Sequence, residues 1–120
     1  MARLTLRIDF GDDRAIGPGK IRLLELIEAH GSISAAGREM GMSYRRAWLL
    51  IDSLNRYFTE PVVAAQVGGA RGGGACLTGF GQAVVGHYRA IEKAALAAGE
   101  SHVGALARSL ADRTGPRGEA

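Results

Sequence analysis

Met40-Gly41-Met42-Ser43-Tyr44-Arg45-Arg46-Ala47-Trp48 is the stretch on which the reading of this chain turns. A glycine two residues before a serine sets a helix stop beside a helix start. Glycine takes up left-handed backbone without a Cβ penalty, and a serine hydroxyl accepts a hydrogen bond from a first-turn amide. The spacing after Ser43 predicts a helix from Tyr44 to about Phe58. At ~100° per residue, Ala47, Leu50, Ile51, Leu54 and Phe58 share one face, and Arg45, Leu49, Asp52 and Arg56 lie opposite. The first set is core and the second faces outward. Trp48 sits between the faces and is read as packing.

Working upstream, Ser32 caps a short helix that runs to about Met40, where Gly41 stops it. Before it, Ile21, Leu23, Leu24, Leu26 and Ile27 recur at helical spacing from Pro18 to about His30, with Gly31 at the C-cap. Leu4, Leu6, Ile8 and Phe10 alternate with polar residues as in a half-buried N-terminal strand, which Gly11-Asp12-Asp13 ends. Downstream, Pro61 closes the helical region. Val62 to Val67 and Ala75-Cys76-Leu77 then form a hairpin around Gly68-Gly69-Ala70-Arg71-Gly72-Gly73-Gly74. Thr78 caps a fourth helix, whose stripe is Phe80, Val84, His87, Ile91 and Ala95 and whose end falls near Gly99. Val103, Leu106, Ala107 and Leu110 keep helical spacing, and the residues from Thr114 onward read as a frayed terminus.

Two helices joined by a short glycine-containing turn are a helix-turn-helix signature. With the hairpin as a wing, the expected fold is mainly α with a small β-hairpin: a winged helix-turn-helix with an N-terminal strand and a C-terminal dimerisation helix. The expected organisation is a DNA-binding domain over 1–99 and a helical extension and tail over 100–120.

Composition narrows the function. The chain has 120 residues, a net charge of +3 and one Cys. That length suits one domain and excludes a multidomain enzyme. A lone Cys cannot form an internal disulfide, and no apolar run approaches the ~20 residues of a membrane span, so the expected compartment is the cytoplasm. All basic side chains except Lys20 and Lys93 are arginine. Arginine suits bidentate contacts to phosphate and guanine, although a GC-rich coding sequence enriches it equally well.

In a winged helix-turn-helix the third helix enters the major groove by its N-terminal end. Ser43, Tyr44, Arg45 and Arg46 occupy that end, offering hydroxyl and guanidinium donors with the helix dipole behind them. Arg56 lies on the same outward face about three turns on and joins the candidate DNA-binding set, with Asp52 placed at i−4 to pair with it instead. Arg71, Gly72 and Gly73 belong to a wing tip that could approach the DNA backbone; a hairpin tip without a partner is the alternative. A nucleotide-binding loop fails, because Gly74 is followed by Ala75-Cys76 where a P-loop needs Lys-Ser/Thr. No catalytic residue, cofactor site or metal site is expected. Cys76 reads as a small buried hydrophobe, and His87 as a core or interface residue. His30, His87 and His102 share no metal-ligand spacing.

Gly31-Ser32-Ile33-Ser34-Ala35-Ala36, the Met40–Trp48 stretch, the glycine-rich hairpin and Leu77-Thr78-Gly79-Phe80-Gly81 together resemble the N-terminal DNA-binding domain of the ModE family, molybdate-responsive transcriptional regulators with a LysR-type winged helix. The resemblance covers roughly Leu4 to Glu92. It implies a cytoplasmic homodimer on a palindromic operator in double-stranded DNA, with Ser43, Tyr44, Arg45 and Arg46 at the start of the recognition helix and Arg71 in the wing. Family members bind molybdate through C-terminal domains, for which the residues after Glu92 are too few, so no effector-binding residue is carried over. The rival function is a winged-helix module for protein contact that pairs with a full-length regulator. Arg45, Arg46 and Arg56 favour DNA, whereas Leu49 leans toward protein.

Overall fold

The computed structural model describes residues 2–66 and 74–113. Four helices and two antiparallel hairpins make up these described residues: β1 (Ile8–Gly11), β2 (Arg14–Ile16), α1 (Pro18–His30), α2 (Ile33–Glu39), α3 (Tyr44–Tyr57), β3 (Val63–Gln66), β4 (Gly74–Leu77) and α4 (Gly79–Arg108). The order and the placing of the second hairpin are consistent with a winged helix.

The helix starts lie where the hydroxyl residues put them. Ser32 Oγ accepts from Ala35 N at 3.1 Å, Ser43 Oγ from Arg46 N at 3.1 Å and Thr78 Oγ1 from Gly81 N at 2.9 Å. Each bond satisfies an amide that has no carbonyl partner within its helix. Gly31 and Gly41 have φ of 68° and 73°, so the chain turns sharply after α1 and after α2. The α2–α3 corner is tight: a Cβ at Gly37 would come within 2.9 Å of Ala47 Cβ.

The core is built from α1 (Ile21, Leu23, Leu24, Leu26 and Ile27), the inner face of α3 (Ala47, Ile51 and Leu54), the hairpin (Val62, Val63, Ala75 and Leu77) and the start of α4 (Val84 and Tyr88). α3 buries the face that its wheel predicts, and Phe58 lies just beyond the helix in extended backbone. There its ring meets Phe80 edge-on at 5.3 Å and Phe10 at 6.2 Å.

Four expectations are corrected. The N-terminal strand starts later than Leu4 and has a partner. Ile8 pairs with Ile16, and the residues expected to end the strand form its turn, with Asp12 and Asp13 at φ of 55° and 62°. Aspartate tolerates this left-handed backbone better than most residues. The fourth helix passes through Gly99 without a break and ends at Arg108, because one interior glycine costs only ~1 kcal/mol. His87 is exposed and so lies outside the core of the chain, and the buried positions are Gly81, Val84 and Tyr88. The rotation of α4 is set by Gly81, where a Cβ would collide with the carbonyl oxygen of Val62, and by Tyr88, whose hydroxyl donates to Leu6 O at 2.6 Å. Finally, Cys76 is only half-buried. Ala75 and Leu77 face the core, so strand alternation turns the residue between them the other way.

Candidate nucleic-acid interface

Ser43, Tyr44, Arg45 and Arg46 form the exposed first turn of α3. The Ser43 cap uses the Arg46 amide and leaves the arginine side chains outside the helix backbone network. Neither the Arg45 nor the Arg46 guanidinium has a hydrogen bond or ion pair among the described residues, whereas Arg56 Nη2 lies 2.6 Å from Asp52 Oδ2. α3 therefore carries two unengaged cations at its N-terminal end, where the helix dipole attracts anions, and one neutralised cation near its other end. The structure brings the first-turn residues together and sets Arg56 apart from them. Arg71, Gly72 and Gly73 lie outside the described residues.

A residue that the sequence reading passed over fixes α3 against the second hairpin. Asn55 Oδ1 accepts from Val62 N at 2.7 Å and Val63 N at 3.1 Å, while its Nδ2 donates to Val63 O at 3.2 Å. One amide side chain thus satisfies three backbone groups at the entry to β3, and no local pattern announces such a long-range clamp. β3 and β4 pair from Val63 with Leu77 to Gln66 with Gly74. The hairpin is tied at its other side by Ala75 N to Gly31 O at 3.0 Å and by Leu77 N to Glu28 Oε1 at 3.2 Å. These bonds hold the hairpin in a fixed relation to α3.

Between them runs an open groove of about 340 Å³, bounded by Ser32–Ser34 at the start of α2, by Tyr44 and Trp48 on α3, and by both strands. Trp48 is 45% exposed along this groove. It faces solvent where packing was expected, because the inner face of α3 is filled by Ala47 and Ile51 on either side of it. Tyr44 belongs both to the first turn of α3 and to the wall of this groove.

No family model matches the chain. Individual relatives do. It is 44% identical over 92 residues to the molybdenum transport protein ModE of Azotobacter vinelandii, covering 77% of this chain and 33% of that protein. It is 39% identical over 87 residues to the DNA-binding transcriptional dual regulator ModE of Escherichia coli, covering 72% of this chain and 33% of that protein. Over this stretch the chain is a ModE-like N-terminal domain. A further relative is the molybdenum-pterin-binding protein MopA of Rhodobacter capsulatus, 44% identical over 79 residues, which are 66% of this chain and 30% of that protein. The chain spans about a third of the length of the relatives it matches.

Elsewhere on this ModE-like domain several charges are paired within the fold. Arg89 grips Glu25 with two bonds, at 2.9 and 2.8 Å, and Glu92 with a third at 2.6 Å, joining α4 to α1. The Arg89 hydrogen bond holds the Glu25 carboxyl below its ordinary range, against the opposing effect of burial. Tyr88 beside it is pushed up, first by burial and then by Glu92. His30 Nε2 lies 3.3 Å from Glu39 and joins the ends of α1 and α2. Among the described residues no group of three His, Cys, Asp or Glu side chains could hold a metal ion, and no helix is long and apolar enough to cross a membrane.

Proposed function

We propose that this chain is a sequence-specific, double-stranded DNA-binding transcriptional regulator. In this reading α2 and α3 are the helix-turn-helix, β3 and β4 are the wing, and the first turn of α3 enters the major groove. The observation that carries the proposal is the pair of guanidiniums on Arg45 and Arg46, which engage no other described residue, at the N-terminal end of a helix held by the core and by Asn55. Arginine forks match guanine O6 and N7, while Ser43 and Tyr44 hydroxyls suit phosphate oxygens. The similarity to a relative named as DNA-binding supports the same reading. Arg71, with the backbone at Gly72 and Gly73, serves as a phosphate contact of the wing, and Arg56 is a peripheral contact once released from Asp52.

The chain acts in the cytoplasm as a homodimer on a palindromic operator. Residues 1–99 read DNA, and residues 100–120 extend the dimer contact. Support comes from α4, which buries no residue after Tyr88 yet displays Ile91, Leu96 and Leu106 to solvent. The second reading, a winged-helix module for protein contact, is favoured by exposed Tyr44, Trp48 and Leu49 on α3.

Selection of duplexes from a random pool by the purified chain tests the proposal. The expected product is an inverted repeat whose half-sites are separated by about one helical turn or a multiple of it. Recovery of no common sequence would contradict it.

A further inference from the structure

Leu49 is 46% exposed, on the face of α3 that carries Arg45. It lines a shallow concavity of about 250 Å³ together with Ser43, Arg45, Arg46 and Leu50. Leu50 packs against the core and fixes the floor of this hollow. A ligand that engages both guanidiniums from this side therefore also covers Leu49.

The chemistry of that ligand is constrained by the mixture. A phosphate oxygen set against an isobutyl group loses water and gains no donor, which is unfavourable. An apolar protein surface set here would desolvate two cations without supplying counter-charge. A base-pair edge in the major groove meets both demands, because it offers acceptors to arginine and one apolar group, the thymine C5-methyl. Leu49 follows Arg45 by four residues, about 6 Å along the helix axis, which corresponds to roughly two base-pair steps.

Resting on the DNA-binding reading above, we propose that Leu49 is a specificity-determining residue that reads the 5-methyl group of a thymine within about two base pairs of the base contacted by Arg45. Arg45 selects by hydrogen bonding and Leu49 by apolar contact, so the two select different features of one half-site. The exposed leucine that weighs toward a protein partner thereby becomes part of the DNA-reading surface.

The test uses the full chain and the duplex obtained by selection. Each thymine is replaced in turn by deoxyuridine, which removes the methyl group and leaves every hydrogen-bonding atom in place. The expected result is a loss of affinity of about fourfold at one thymine of each half-site, the fold-change that corresponds to about 0.8 kcal/mol for one buried methylene-sized group. The Leu49→Ala variant should bind the thymine duplex as weakly as the wild type binds the uracil one, and should show no further loss on uracil. Because Leu49 is half-exposed, circular dichroism should show unchanged helical content in the variant. Equal losses in both proteins overturn the proposal, as does indifference of the wild type to every uracil. Undiminished affinity of Leu49→Ala for the thymine duplex also overturns it and assigns the residue to a protein partner. Failure to select any duplex is a different result: it removes the DNA-binding reading itself, and this inference with it.

Discussion

α3 and α4 each bury one face, and what they leave open differs in kind. α3 buries Ala47, Ile51 and Leu54 inside the chain and presents outward Arg45 and Arg46, which engage no other described residue, with Trp48 and Leu49 half-exposed beside them. α4 pairs Arg89 with Glu25 and Glu92 and, besides Lys93 and Arg108, presents apolar side chains, with Leu106 73% and Leu110, just past its end, 77% exposed. What α3 leaves open is charge with apolar side chains beside it, so its complement in this account is a polyanion that also offers apolar contact. The unspent capacity of α4 is apolar surface, so its complement is another apolar surface, supplied in this account by the same helix of a second copy.

The largest expected effect separates the seated and the open side of the first turns of α4. Gly81→Ala forces a Cβ into the Val62 carbonyl, whereas Gly86→Ala meets nothing within 4 Å. Thermal unfolding should show Gly81→Ala destabilised by about 3 kcal/mol and Gly86→Ala stabilised by about 0.5–1 kcal/mol through helix propensity. Similar melting of the two variants would mean that the early part of α4 is not seated as described.

A smaller effect tests the exposed end of that helix. Leu106→Gln with Leu110→Gln should shift sedimentation from dimer toward monomer at micromolar concentration and leave the melting of the monomer within about 0.5 kcal/mol, as for other exposed sites. A wild-type chain that sediments as a monomer would contradict the contrast drawn between the helices.

The smallest effect concerns the charge that α4 has already committed. Arg89 holds the Glu25 carboxyl below its ordinary value of about 4.5 in the folded chain. A depressed folded-state value gives stability that is present above the unfolded value and lost as pH falls through the folded one. Glu25→Gln should therefore flatten the loss of stability on acidification below about pH 4.5, and should cost no more than about 1 kcal/mol at neutral pH, since the pair is partly exposed. An unchanged acid limb would show that the pair is not formed in solution.

The difference between the helices also explains which features were legible in the sequence. The starts of α2, α3 and α4 are written locally, in Ser32, Ser43 and Thr78, and the outward position of Arg45 follows from the same wheel that buries Ala47 and Leu54. The rotation of α4 is not written locally, because His87 and Tyr88 both stand at helical spacing from Val84. Contacts across the fold, of Gly81 with Val62 and of the Tyr88 hydroxyl with Leu6 O, decide between them. β2 is three residues long and too short to show a period, and Ala75-Cys76-Leu77 is apolar throughout, so alternation gave no parity. Asn55 acts on backbone seven and eight residues away, through bonds that no spacing rule encodes. At the candidate interface the arginines were legible from position alone, while the exposure of Trp48 depended on how tightly its neighbours filled the core.

The most direct measurement is the affinity of Arg45→Ala with Arg46→Ala for the selected duplex and for a scrambled one of equal length, at one fixed salt concentration. The account predicts that the preference for the selected sequence disappears, since each bidentate base contact supplies about 1–3 kcal/mol of discrimination, while helical content by circular dichroism stays that of the wild type. Retention of the wild-type preference would contradict it and remove the first turn of α3 from the recognition surface.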